Sequence, residues 1–336
     1  MADIAILGSG GWGIALAVAF NAQGHKVSLW SAFEQEAASL KAARGNEKLL
    51  RGVTIDERIN ITDDISCAAR SDIAVIAVPS FAVRSTVRRL AGVVRSDAVI
   101  VNVAKGFEPD SLKRLSEVIS EELPENRVVI LSGPSHAEEV AVGVPTSLVA
   151  ASTDSAAAEY VQDEIISPML RIYSHDDVVG VEVGGALKNV IAVCYGICDG
   201  LNMGDNTKAA LMTRGLTEIA RLAVKMGARE ETLAGLAGVG DLIVTCMSMH
   251  SRNHRFGILI GQGMSAKDAL DSVGMTVEGY HCTAIAHKLA EKYGVDMPIT
   301  EQCYNILYNG ASPKQAISNL MERPKKHERA ASFLNK

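Results

Sequence analysis

Two lysines stand where lysine is costly. Lys188 lies in Ala186-Leu-Lys188-Asn189, inside the apolar run Val178–Cys198. A lone buried ammonium is expensive unless it is paired or neutral. Lys188 must therefore meet an acid, line a cavity or titrate abnormally. Lysine loses basicity on desolvation and beside like charge, which makes it usable as an acid and base near neutral pH. The blander alternative is a chain that snorkels to the surface. Lys105 follows the apolar run Ala98–Val103 and precedes Gly106, so its amine overhangs a strand end or is a plain surface lysine. Asp241 closes Ala237-Gly-Val-Gly-Asp241 ahead of Leu-Ile-Val-Thr245-Cys246, and helix capping is its alternative reading. Ser251-Arg252-Asn253 offers a hydroxyl, a guanidinium and an amide in succession. That density of donors suits a phosphate, although an exposed polar loop has the same composition.

The N-terminus carries a second pattern. Asp3–Leu7 runs into Gly8-Ser-Gly10-Gly11-Trp12-Gly13, which is G-x-G-x-x-G between an apolar run and a small-residue helical stretch, Ile14–Gln23. Gly8 permits a tight turn, Gly10 lets backbone approach a pyrophosphate, and Gly13 lets the helix sit close to the strand with its amides facing the anion. The spacing alone is weak in a chain with 29 glycines, and a flexible turn is the alternative. The context favours binding of NAD(P) or FAD.

These groups need a scaffold, and the hydropathy pattern supplies one. Strand-like runs at Asp3–Leu7, Val27–Trp30, Ile73–Val78, Ala98–Val103, Val128–Leu131 and Thr146–Ala150 alternate with helical stretches at Glu34–Ala43, Phe81–Leu90, Ser111–Glu121 and Ser155–Ile166. Continuous apolar strands point to an α/β doubly wound, mainly parallel Rossmann sheet. Ligands then collect at the strand carboxyl ends. Val78-Pro-Ser80, with a cis or turn-forming proline, Ala104-Lys105-Gly106 and Ser132-Gly133-Pro-Ser135-His-Ala137 all occupy such ends. Beyond Tyr173 the pattern turns helical, at Val178–Cys198, Asn206–Met226, Ser265–Val273, Cys282–Tyr293 and Thr300–Tyr308. The expected division is a dinucleotide-binding domain over 1–177 and an all-α substrate domain over 178–336.

Composition narrows the partners. The 336 residues carry a net charge of −6, so no basic field attracts nucleic acid. No segment reaches roughly 18 unbroken apolar residues, so no membrane span is expected. The first apolar stretch reads as strand and helix rather than a leader, which makes the cytoplasm the expected address. Cys194 and Cys198 share a helix face and read as small core residues, the histidines form no ligand pattern, and no metal is expected. The excess of apolar helix suggests a homodimer. Arg323–Arg329 reads as a solvated charged tail.

As a set, the motifs resemble the NAD(P)-dependent glycerol-3-phosphate dehydrogenases of the bacterial cytoplasmic type. The resemblance spans essentially the whole chain and rests on Gly8–Gly13, Val78-Pro-Ser80, Ala104-Lys-Gly106, Ser132-Gly-Pro-Ser135, Ala186-Leu-Lys-Asn189, Gly238-Val-Gly-Asp-Leu242, Ser251-Arg-Asn253 and Val277-Glu-Gly279. It implies reversible reduction of dihydroxyacetone phosphate to sn-glycerol 3-phosphate for phospholipid synthesis. By resemblance, Lys188 exchanges the proton, Lys105 holds and polarises the substrate, and Asp241 and Thr245 position Lys188 or the substrate. Ser251, Arg252 and Asn253 bind the phosphate, and Gly133 and Ser135 contact substrate. Gly11, Trp12, Lys105, Ala137, Arg252 and Glu278 contact the cofactor. The chemistry is coherent, since two ammonium groups stabilise an alkoxide and each lowers the other's pKa.

One segment departs from the family. An NAD-specific unit usually carries an acid after its second strand, and relatives often carry arginine; here Trp30-Ser-Ala-Phe33 follows, with Glu34 further on. Arg44 and Lys41 are the nearest candidate cations in sequence. Both cofactors are expected to be accepted, with NADP(H) slightly favoured. The rival readings are a β-hydroxyacid dehydrogenase of the 6-phosphogluconate type and a non-catalytic nucleotide sensor.

Overall fold

The computed structural model describes residues 1–325, 327 and 328. The chain forms two compact units, one over Met1–Val178 and one from Val179 onward.

The first unit is built on eight strands: β1 (Asp3–Leu7), β2 (Lys26–Trp30), β3 (Asn60–Thr62), β4 (Ile73–Ile76), β5 (Val99–Asn102), β6 (Arg127–Ser132), β7 (Thr146–Ala151) and β8 (Leu170–His175). Their order is β3-β2-β1-β4-β5-β6-β7-β8. Every neighbouring pair is parallel except β6 and β7. Six helices belong to this unit: α1 (Gly11–Ala22), α2 (Glu34–Ala43), α3 (Val83–Leu90), α4 (Leu115–Glu122), α5 (Ala137–Ala141) and α6 (Ser155–Ile165).

Alternation within the strands feeds two cores. Ile4, Ile6, Ile73 and Val75 face α1, α2 and α6, while Ala5, Leu7, Ala74 and Ile76 face α3 and α4. This double burial explains the unbroken apolar runs. The sequence reading lacked β3 and β8. β3 has three residues, and β8 is an edge strand in which Leu170 and Ile172 are buried while Arg171 and Tyr173 are exposed. Strand order reverses between β1 and β4, so the crevice for a ligand opens at their carboxyl ends.

The second unit holds α7 (Val178–Gly200), α8 (Asp205–Lys225), α9 (Glu230–Leu233), a π-helical turn (Leu236–Gly240), α10 (Asp241–Met247), α11 (Arg252–Gly261), α12 (Ala266–Val273), α13 (Glu278–Tyr293), α14 (Pro298–Tyr308) and α15 (Pro313–Met321). Among the described residues, no strand follows β8. By length and composition α7 is apolar enough to cross a membrane, but 94% of its most apolar window is buried within the protein. It is the core helix of this unit. Of the charged tail, Lys326 and Arg329 lie outside the described residues, and Arg323 pairs with Asp296 at 2.8 Å.

Candidate active site

The turn after β1 is shaped for an anion. Gly8 has φ of 128°, and a Cβ there would stand 2.5 Å from the Ala77 carbonyl at the end of β4. A Cβ on Gly13 would fall 1.9 Å from the Gly8 carbonyl, so helix and strand meet backbone to backbone. Gly10 has nothing within 4 Å. The open space therefore lies where a pyrophosphate would approach. α1 has Gly10 as its N-cap, no capping side chain and no acid in its first turn. Its first amides lack intrahelical partners and face that space. The Leu49 carbonyl lies 2.9 Å, and the Ala137 Cβ 4.0 Å, from where a Gly11 Cβ would sit. Gly11 and Ala137 are thus neighbours, while the Trp12 ring packs against the core. This cradle fits a dinucleotide.

Lys105 stands in the same unit, after β5. Asn102 is fully buried; its Oδ1 accepts from Ala104 N at 3.2 Å and its Nδ2 donates to Ala104 O at 3.0 Å, which fixes the turn beneath the lysine. Lys105 Nζ donates to Gly133 O at 2.9 Å and to Ser135 Oγ at 3.3 Å. Ser135 Oγ itself donates to Gly133 O at 2.9 Å. Gly133 has φ of 127°. The three residues expected to contact substrate here are therefore one cluster. Sequence reasoning did not single out Ser132 for itself. Its buried Oγ has no hydrogen-bond partner, and its place at the end of β6 was the available signal. The peptide bond before Pro79 is trans, and Pro79 leads into a short 3-10 turn at Ser80–Ala82.

In the second unit Lys188 is 5% exposed and Asp241 is 0% exposed. Lys188 Nζ pairs with Asp241 Oδ1 and donates to Thr245 Oγ1 at 2.7 Å. Asp241 and Thr245 are four apart on α10 and so share a helix face. Asp241 is not the cap of α10. Gly240 holds that position, with no capping side chain, and the carboxylate is turned to the lysine instead. The glycines before it allow this approach. A Cβ on Gly238 would lie 2.0 Å from the Leu233 carbonyl, and one on Gly184 would lie 2.7 Å from the Ala237 carbonyl. The π-helical turn thus reaches α7 one helical turn before Lys188.

Asn189 and Asn253 join three helices. Asn253 Nδ2 donates to Asn189 Oδ1 at 2.8 Å, and Asn253 Oδ1 accepts from Gly279 N at 2.9 Å. Glu278 begins α13 beside Gly279, so it lies next to this knot in the chain. Ser251 caps α11, its Oγ accepting from His254 N at 3.2 Å. Arg252 is exposed. Glycine fixes the register of α11 on α7. A Cβ on Gly196 would meet the His254 carbonyl at 2.1 Å, and one on Gly257 would meet the Val193 carbonyl at 2.1 Å. His254 adds a polar tie, with Nε2 2.7 Å from Asp199 Oδ2 and Nδ1 3.2 Å from Ser248 O. Burial pushes the Asp199 carboxyl up, but hydrogen bonds from Lys208 and His254 outweigh it and hold it below the usual range.

Arg44, one of the candidate cations for a 2′-phosphate, commits one of its terminal nitrogens to its own loop. Its Nη1 donates to the carbonyls of Asp56 at 3.3 Å and Ile59 at 2.9 Å. These bonds tie down the loop before β3.

A glycine cradle on a doubly wound sheet, followed by a helical unit with a buried lysine–carboxylate pair, defines a dinucleotide-dependent oxidoreductase. Comparison with known proteins makes this specific. The family model for the NAD-dependent glycerol-3-phosphate dehydrogenase N-terminus matches residues 3–158, and that for its C-terminus matches residues 177–318. A glycerol-3-phosphate dehydrogenase [NAD(P)+] of Moorella thermoacetica is 51% identical over 327 residues, covering 97% of each chain. One from Desulfitobacterium hafniense is 49% identical over 328 residues, covering 98% of this chain and 93% of the relative. The crystal structure of a glycerol-3-phosphate dehydrogenase from Coxiella burnetii superposes with a TM-score of 0.92 at 38% identity, covering 95% of this chain and 98% of that one. The chain belongs to the NAD-dependent glycerol-3-phosphate dehydrogenase family.

Proposed function

We propose that this chain reversibly reduces dihydroxyacetone phosphate to sn-glycerol 3-phosphate with NAD(P)H and thereby supplies phospholipid synthesis. The observation that carries the reading is the buried group Lys188–Asp241–Thr245. A core lysine held by a carboxylate and a hydroxyl is an amine kept in one orientation, which is what proton exchange at one oxygen requires.

When bound, the nicotinamide supplies the hydride. Negative charge grows on the carbonyl oxygen as reduction proceeds. Lys188 meets that oxygen and gives it a proton, and takes it back in the reverse direction. Asp241 and Thr245 hold its Nζ. Lys105, braced by the Gly133 carbonyl and Ser135, holds and polarises the substrate. Ser251, Arg252 and Asn253 hold the phosphate at the start of α11. One amide N–H of Asn253 is committed to Asn189 and the other remains for the ligand. Binding the remote phosphate orients the ketone. Gly11, Trp12, Ala137, Arg252 and Glu278 serve the cofactor.

The decisive assay follows NADH and NADPH oxidation with dihydroxyacetone phosphate. Turnover is expected. A silent assay with turnover of 6-phosphogluconate would transfer the chain to the rival dehydrogenase class. The reading also places the protein in the cytoplasm as a homodimer through the helical unit, and sedimentation showing only monomer would remove the latter.

A further inference from the structure

The geometry points to Glu36 as the residue that recognises the adenosine ribose and makes this chain select NAD(H) over NADP(H), with Ser31 as its positioning residue. The inference rests on the dinucleotide reading of the Gly8–Gly13 turn and departs from the preference expected from sequence.

On a doubly wound sheet the adenosine ribose lies at the carboxyl end of the second strand, where an acid accepts from its 2′-hydroxyl. β2 ends at Trp30, and Ser31-Ala32-Phe33 carry no charge. Ser31 is nevertheless fixed. It is 1% exposed, and its amide donates to Thr62 O at 2.9 Å. Its single hydroxyl proton goes to Glu36 Oε2 at 2.7 Å, while its Oγ accepts from Phe33 N at 3.3 Å. Ser31 is thus a tether, and what it tethers is a carboxylate. Phe33 caps α2, so Glu36 stands in the first turn, where a negative charge is favoured. Its second oxygen, Oε1, makes no hydrogen bond or ion pair among the described residues. The acid absent from the strand end is delivered from the helix that follows.

The surroundings oppose a 2′-phosphate. Glu34 shares the first turn of α2, and Asp63 and Asp64 follow β3, the neighbour of β2. Two of the cations are engaged in other contacts. Arg44 is held by two carbonyls of its own loop. Arg89 lies 4.8 Å over the Trp30 ring, and Trp30 packs with Val83, Val87 and Leu90 of α3. Ala37 and Leu40 of α2 belong to the core on the opposite face of the sheet. Lys41, five residues beyond Glu36, is exposed, as are Lys48 and Arg51 on the loop whose Leu49 carbonyl approaches Gly11, Arg51 lying 4.0 Å from Glu47. A ribose diol meets a free carboxylate oxygen here, whereas a 2′-phosphate meets like charge.

The test is equilibrium binding of NADH and of NADPH to the whole chain by fluorescence titration, without substrate. NADH is expected to bind about ten- to a hundredfold more tightly, the worth of a hydrogen bond to a charged group. Glu36→Gln should erase most of that ratio by weakening NADH and leaving NADPH unchanged or tighter. Ser31→Ala should lower the ratio without abolishing NADH binding, whereas a purely structural role would weaken both nucleotides alike. Thermal unfolding of each variant shows whether it folds, and Glu36→Ala provides a second variant. NADPH binding as tight as or tighter than NADH would overturn the assignment, as would an unchanged ratio in Glu36→Gln. Failure of dihydroxyacetone phosphate turnover with NADH selectivity intact would instead sink the proposed reaction alone.

Discussion

Asn253 donates its side-chain amide to Asn189 at 2.8 Å, and Asn189 directly follows Lys188 in α7. The start of α11, proposed to hold the phosphate, is therefore pinned one residue from the proposed proton donor. Asn253→Ala should raise KM for dihydroxyacetone phosphate more than it lowers kcat. It also leaves Gly279 N without its acceptor. A buried donor left unsatisfied costs about 1–3 kcal/mol, which thermal unfolding would record. An unchanged KM would remove Asn253 from the phosphate site.

Lys188→Ala should lower kcat by about 10²–10⁴-fold, the range for loss of a positioned acid and base. Dinucleotide affinity should stay close to that of the parent. The same change removes the amine beside a carboxylate with 0% exposure. Breaking a buried pair costs about 3–5 kcal/mol, so the variant should also melt lower. Lys188→Met with Asp241→Asn separates the two effects. Stability should largely return and activity should not. Recovery of turnover in the double variant would refute proton exchange by Lys188.

The glycine turn predicts opposite failures at two positions of one motif. Gly10→Ala adds a methyl into open space, so the protein should fold normally and bind NADH and NADPH more weakly. Gly13→Ala drives a methyl to 1.9 Å from a backbone carbonyl, so the first unit must shift or fail to fold. Circular dichroism with dinucleotide titration distinguishes the outcomes. Equal folding of both variants would contradict the close approach of α1 to β1.

The amino-acid pattern reveals the sheet because strands buried on both faces read as unbroken apolar runs. β8 escapes that rule because it is half exposed. The need of Lys188 for a partner is also legible, since burial demands one. Which of 39 acids supplies it is a tertiary fact, settled by a π-helical turn that carries Asp241 to α7 across 53 positions of sequence. The four-residue glycine spacing at Gly196 and Gly200, matched at Gly257 and Gly261, was a visible signal for close helix packing. The local role of Arg44 was not legible either, since the carbonyls of Asp56 and Ile59 that its Nη1 meets lie 12 and 15 positions away.

That glycine packing can be tested directly. Gly257→Ala places a methyl 2.1 Å from the Val193 carbonyl and 2.9 Å from the Gly196 Cα. Overpacking of this kind costs about 1–3 kcal/mol or more. Separation of α11 from α7 should also stretch the Asn253–Asn189 bond, so KM should rise along with the loss of melting temperature. A lower melting temperature with KM unchanged would show that the two helices are not coupled to the phosphate end.

A last prediction concerns a carboxylate that the chemistry leaves unused. Glu218 on α8 is buried and accepts from Ile299 N at 2.7 Å, Thr300 N at 3.1 Å and Thr300 Oγ1 at 3.1 Å, so it caps α14 from another helix. Burial pushes its carboxyl up to about 7 despite those donors. The folded chain therefore holds a proton there that the unfolded chain, with an ordinary value of 4.5, has already released. Between these values the folded state binds more protons, so this group makes stability fall as pH rises from about 4.5 to about 7 and adds no slope above that. The total is about 3 kcal/mol. Glu218→Gln keeps an acceptor and removes the titration. Its stability curve, measured by denaturant unfolding across this window, should be flatter than the parent's by about that amount. Parallel curves for the two proteins would show that Glu218 does not titrate between folded and unfolded states.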